Sequence, residues 1–172
     1  MELQNPIINK VAQKALVTID LADFFPKEED MVAIDMKEYL FKGLILREAD
    51  FRQQVKDTDW SNYKDKYVAI YASVNAIIPM WAYMVLTAEL SPYVKDIANA
   101  APQHAADVFL YRAIEKINAA DYEGQRVVIK GCGDRQIDSA AFVYITNKLA
   151  ATARAITYGE PCSMVPVYKK SV

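Results

Sequence analysis

Arg126-Val127-Val128-Ile129-Lys130-Gly131-Cys132-Gly133-Asp134 is the stretch whose reading decides the fold. Three consecutive β-branched residues make 126–130 a strand. Gly131 to Asp134 breaks it, and Asp138 or Ser139 then caps a helix. Phe142, Ile145, Leu149, Ala153 and Ile156 trace one stripe, which predicts a helix over 138–157 with Gly159 as its stop. A last strand is expected over 165–169. Strand, helix and strand in that order form a crossover unit. Toward the N-terminus, 67–72 reads as a strand and Pro79 opens a helix to about Ala98, with Tyr83, Leu86, Leu90, Val94 and Ile97 facing inward. Another helix is expected over 105–118. Nearer the start, 16–21 and 32–36 are strand candidates expected to form a hairpin. A helical turn over 37–41 ends at Gly43, and a helix follows over 47–57, with Leu44, Phe51 and Val55 on one face. The fold class is therefore α/β: a three-layer sandwich around a mixed sheet, with βα crossover units in the C-terminal half. Residues 1–172 are expected to be a single domain, 1–63 supplying the hairpin and helices packed on 64–172. No repeat of short period is visible.

The chain has 172 residues, 53% of them hydrophobic and 24% charged, with a formal net charge of −2. Those values suit a globular domain. They argue against a nucleic-acid binder, whose affinity rests on Lys and Arg neutralising phosphates. Val68 to Ala88 carries no charge and is long enough to imitate a membrane span. Ser73, Asn75 and Pro79 interrupt it, so a buried strand, a turn and a buried helix are expected, and no membrane. The first residues lack the basic start and apolar run of a signal peptide, so a reducing cytoplasm is the expected compartment.

His104 is the only histidine, which excludes zinc sites built on two or more histidines and disfavours a serine hydrolase. It opens a helix, where a solvated histidine is expected. Two Gly- or Pro-containing turns hold the cysteines: Gly131-Cys132-Gly133-Asp134 and Tyr158-Gly159-Glu160-Pro161-Cys162-Ser163. Free cysteine is usually a small buried hydrophobe, so two cysteines beside carboxylates in polar turns go against habit. Three readings stand open. Cys132 and Cys162 ligate a zinc or iron ion completed by Asp134, Glu160 or water. Or Cys132, ahead of a helix N-terminus, is a reactive thiol. Or both turns are chosen for shape alone. If the last strand runs parallel, the cysteines lie at opposite edges of the sheet; they can meet within a subunit if it runs antiparallel or if 161–164 runs back across the sheet, and they can also meet across a dimer. Ser73 and Asn75 follow a strand; they either form a simple strand-to-helix turn or line the same crevice as Cys132, because ligands gather at carboxyl ends of strands in open α/β sheets. The helix from Met80 is apolar on all sides at its start, which points to a homodimer with Met80, Trp81, Tyr83 and Met84 at the interface.

Asp59-Trp60-Ser61, Tyr67-Val68-Ala69, Ile78 to Tyr83, Val127 to Asp134 and Tyr158 to Ser163 together resemble a bacterial domain-of-unknown-function family, number 2480. The resemblance covers nearly the whole chain. It implies a small cytoplasmic protein, and a genomic setting near iron–sulfur cluster assembly and sulfur-transfer proteins. It supplies no catalytic residues. The expected function is a thiolate and carboxylate site that binds a metal ion and assists iron or sulfur handling, with a protein partner in that metabolism. The alternatives are a non-catalytic homodimeric interaction protein and a small-molecule enzyme using the strand-end crevice.

Overall fold

The computed structural model describes residues 16–131, 135–160 and 163–170. The chain divides into two compact units, residues 25–112 and residues 1–24 with 113–172. Both are mixed α/β, as expected.

In the unit 25–112, β2 (Met31–Asp35), β5 (Tyr67–Tyr71) and β6 (Asp96–Asn99) form a parallel sheet in the order β2-β5-β6. A two-stranded hairpin of β3 (Leu40–Phe41) and β4 (Ile45–Leu46) lies between β2 and α1 (Glu48–Asp57) in the chain. One face of the sheet presents Ile34, Val68 and Ile70 to Phe51 and Val55 of α1 and to Ala82, Leu86 and Leu90 of α2 (Met80–Leu90). The other face presents Ala69 and Ala98 to Ala105 and Phe109 of α3 (Pro102–Lys116). Small residues there let the helix approach closely. Trp60 anchors the turn before β5: it is buried, and its indole N–H donates to the Val55 carbonyl at 2.9 Å.

In the other unit the order is β1 (Leu16–Asp20), β7 (Arg126–Lys130), β8 (Ala155–Glu160), β9 (Ser163–Lys169). The first three are parallel and β9 returns antiparallel. α4 (Ser139–Ala150) connects β7 to β8 and buries Ala141, Ile145 and Leu149.

Several expectations need correction. β1 and β2 are strands, yet they form no hairpin, and each pairs in parallel in a different sheet. Both end in an aspartate whose side chain accepts the N–H two residues on, Ala22 for Asp20 and Lys37 for Asp35. That bond closes a 3-10 turn in place of a reversal. The helix expected to reach Ala98 stops at Leu90, just ahead of Pro92, and 96–99 is a strand. The helix expected to reach Thr157 stops at Ala150, and 155–160 is a strand. Ala153 and Ile156 are indeed buried, but in the turn and in β8, so apolar spacing of three and four continued past the helix end. Gly159 ends no helix. Its φ is 112°, and a Cβ there would collide with the Ser163 carbonyl, so it shapes the β8–β9 hairpin. Leu44 is exposed and does not share the buried face of Phe51 and Val55.

The two units follow one plan at a spacing of 59 residues. Val68 and Val127, Ile70 and Ile129, Ala82 and Ala141, Leu86 and Ile145, and Leu90 and Leu149 are matched buried positions. Val55 of α1 matches Ile114, which belongs to the other unit. Strand registers agree: Met31, Tyr67 and Asp96 align in one sheet as Leu16, Arg126 and Ala155 do in the other. So do the turns. Asp65 donates to the Tyr93 carbonyl as Gly124 does to that of Thr152, and both residues have positive φ, 60° and 66°.

Candidate functional site

Parallel sheets bring their carboxyl ends to one edge, where βα loops form ligand sites. The common plan lets the two edges be compared residue by residue.

In the unit 25–112 the edge is made by Asp35, Tyr71 and Ser73. Ser73 donates its backbone N–H to Asp35 Oδ1 at 3.0 Å, and Lys37 donates to the same oxygen at 2.9 Å. Burial pushes the Asp35 carboxyl up, but the Ser73 hydroxyl and the N–H groups of Lys37 and Ser73 outweigh it and hold it below the usual carboxylate range. Ser73 is therefore occupied in tying β5 to β2. Both Ser73 and Asn75 are exposed.

In the other unit Asp20 occupies the place of Asp35, and Lys130 that of Tyr71. Lys130 Nζ sits 2.9 Å from Asp20 Oδ2 and 3.6 Å from Glu160 Oε1. One ammonium thus links the ends of β1, β7 and β8. The hydrogen bond to Asp20 and the two negative charges outweigh desolvation and hold the Lys130 ammonium above its usual range. Gly131 follows. A Cβ on it would meet Ile137 Cδ1 at 2.6 Å and Phe142 Cζ at 2.9 Å, so the tips of these two side chains pack against its bare backbone and would have to shift for any other residue. Phe142 in turn meets Tyr158 of β8 edge-on, with ring centroids 5.5 Å apart.

Cys132, Asp134 and Cys162 lie outside the described residues. In sequence, Cys132 stands 59 residues after Ser73 and Asp134 stands 59 after Asn75, so the two stretches, expected to share one crevice, are corresponding positions of the two units, each following a strand of a different sheet. Glu160 is brought to Lys130. Since β9 is antiparallel, Glu160 and Ser163, on either side of the second turn, sit at the carboxyl edge of the sheet. Among the described residues no group of three or more His, Cys, Asp or Glu is placed to hold a metal. Among them, no helix is long and apolar enough to cross a membrane. His104 is exposed at the start of α3.

The expected interface residues divide. Met80 and Met84 are 71% and 70% exposed. Trp81 and Tyr83 are half-buried against the core, Trp81 meeting Phe51 edge-on at 5.7 Å. Reading the sequence missed Asp20 and Lys130. The signal was there in Ile19-Asp20-Leu21 and Ile34-Asp35-Met36, two strand ends of the same form.

The model of the family described as "Protein of unknown function (DUF2480)" matches residues 5–170. The chain belongs to this family. No curated protein and no solved structure matches it. The match takes in both units and both edges described above.

Proposed function

We propose that the carboxyl edge of β1, β7 and β8 carries a thiolate site in which Cys132 and Cys162 hold a zinc or iron ion, with Asp134 or water completing the set. The observation that supports it is the pairing of Lys130 with Glu160 at 3.6 Å, because each of these residues precedes a cysteine by two positions. The antiparallel course of β9 also removes the separation that a parallel last strand would impose. Glu160 and Asp20 are both already engaged by Lys130, so the thiolates, not these carboxylates, are the donors that suit a soft or borderline metal. A nearby ammonium also favours thiolate over thiol. A site of this kind would serve the handling of iron or sulfur.

The test is elemental analysis of chelator-free protein with free thiols counted on the same sample. About one metal per chain with both thiols protected, and loss of metal in Cys132→Ser and in Cys162→Ser, is the expected result. No metal with two freely reactive thiols sinks the metal and leaves thiol chemistry. Two unreactive thiols without metal make the cysteines structural.

A second reading has its own observation. Ile77, Met80 and Met84 are 93%, 71% and 70% exposed, a dense apolar surface at the start of α2 that suits association with a second copy. Sedimentation that gives a dimer for the parent and a monomer for Met84→Lys supports it; a monomeric parent rules it out.

A further inference from the structure

A cavity of about 550 Å³ opens on the α4 side of the β7–β8–β9 sheet. Its floor is Ile129, Ile156 and Tyr158, α4 gives it Phe142 and Thr146, and Val167 of β9 forms part of the far side. The size falls in the range of small-molecule sites, about 300–1,000 Å³, and the lining is almost wholly carbon. β9 belongs to this unit alone, because the chain turns into α3 after β6 where here it turns back after β8. The strand that completes this cavity is thus an addition to the common plan.

We propose that the cavity binds a small amphipathic amine, its apolar body against Phe142 and Tyr158 and its ammonium at Glu160. The charge of the Asp20–Lys130–Glu160 cluster chooses the head group. Glu160 lies two residues beyond Tyr158 on β8, about 7 Å along the strand. Its side chain is 39% exposed. Asp20, Lys130 and Glu160 sum to one negative charge, and the single ammonium is already shared between two carboxylates. A carboxylate or phosphate head would meet excess negative charge; a protonated amine supplies the missing positive one. The residues involved are not the proposed thiolate ligands, so metal content and amine binding are read separately and either can fail alone.

The experiment uses the whole chain at pH 7. The neutral fluorophore N-phenyl-1-naphthylamine is bound first, then displaced by dodecylamine, dodecanol or dodecanoate below their micelle concentrations. Dodecylamine is expected to displace it at a concentration at least tenfold below that of dodecanoate, with dodecanol between. Thr146→Phe, which fills the cavity from α4, should abolish fluorophore binding, and Val167→Trp should do the same from β9 if the first variant does not fold. Glu160→Gln should cut the preference for amine over acid at least threefold. Equal displacement by acid and amine overturns the proposal. So does fluorophore binding that survives both filling variants, or a dimer that must be split by Val143→Lys before the fluorophore binds.

Discussion

The two carboxyl edges share a backbone plan and differ in chemistry. At one, Asp35 is closed off by Ser73 and Lys37 through hydrogen bonds that finish the strand ends. At the other, Asp20 is met by Lys130, which also reaches Glu160, and the following segment carries Cys132 and Asp134 where its counterpart has Ser73 and Asn75. The matched buried residues hold both sheets to the same geometry, so the difference lies in what the loops present. One copy keeps the scaffold, while the other gathers the ionic cluster, both cysteines, the added strand and the cavity.

The comparison is broken most directly in the cores. Leu86→Ala and Ile145→Ala occupy matched positions that are fully buried. Each should cost about 2–5 kcal/mol in denaturant unfolding. A cost below about 1 kcal/mol for either would show that the two helices do not carry corresponding loads. A smaller effect tests the turns. Gly124→Ala adds a Cβ that meets nothing within 4 Å, so its cost is backbone strain alone, about 1–2 kcal/mol, whereas Asp65→Gly at the matched position should not destabilise. Equal losses for the two would end the equivalence.

The smallest effects sharpen the contrast between the edges, because they lie at opposite ends of the pH scale. The Asp35 carboxyl is held below its unfolded value, so its contribution is complete above about pH 4 and is lost as pH falls through the folded value. Lys130 is held above its unfolded value, so its contribution is complete below about pH 10 and is lost as pH rises through the folded value. Ser73→Ala should raise the Asp35 carboxyl toward the ordinary range in an NMR titration without altering Lys130. Asp20→Asn should lower the Lys130 ammonium without altering Asp35. A variant that moves both groups would contradict two independent edges.

The strands 126–130 and 67–71 were legible because β-branched runs bounded by glycine or polar turns have few other readings. Phe51 and Val55 were legible through their spacing of four. β6 and β8 were not, because Val94 with Ile97 and Ala153 with Ile156 prolong a helical spacing into segments that Pro92 and the turn at 151–154 have already ended. The common plan was hidden for a different reason. Identity at the spacing of 59 survives at Val68, Ile70, Ala82 and Leu90, where packing fixes side-chain shape, while the exposed residues between them have diverged. The cysteine turns stood out as chemistry, but the relation of the Cys132 turn to Ser73 and Asn75 needed the strand registers. The Lys130 cluster needed the partner of β1, which no local pattern announces.

That partner has a consequence for the order of events as the chain leaves the ribosome. Leu16 aligns with Arg126, whereas Met31 aligns with Tyr67. Contacts between residues distant in sequence form slowly, and domains assemble as their segments emerge. The sheet of 25–112 has all three strands in hand once β6 is made. β1, synthesised first, waits for more than half the chain, and the half with the richer chemistry is the last to be completed.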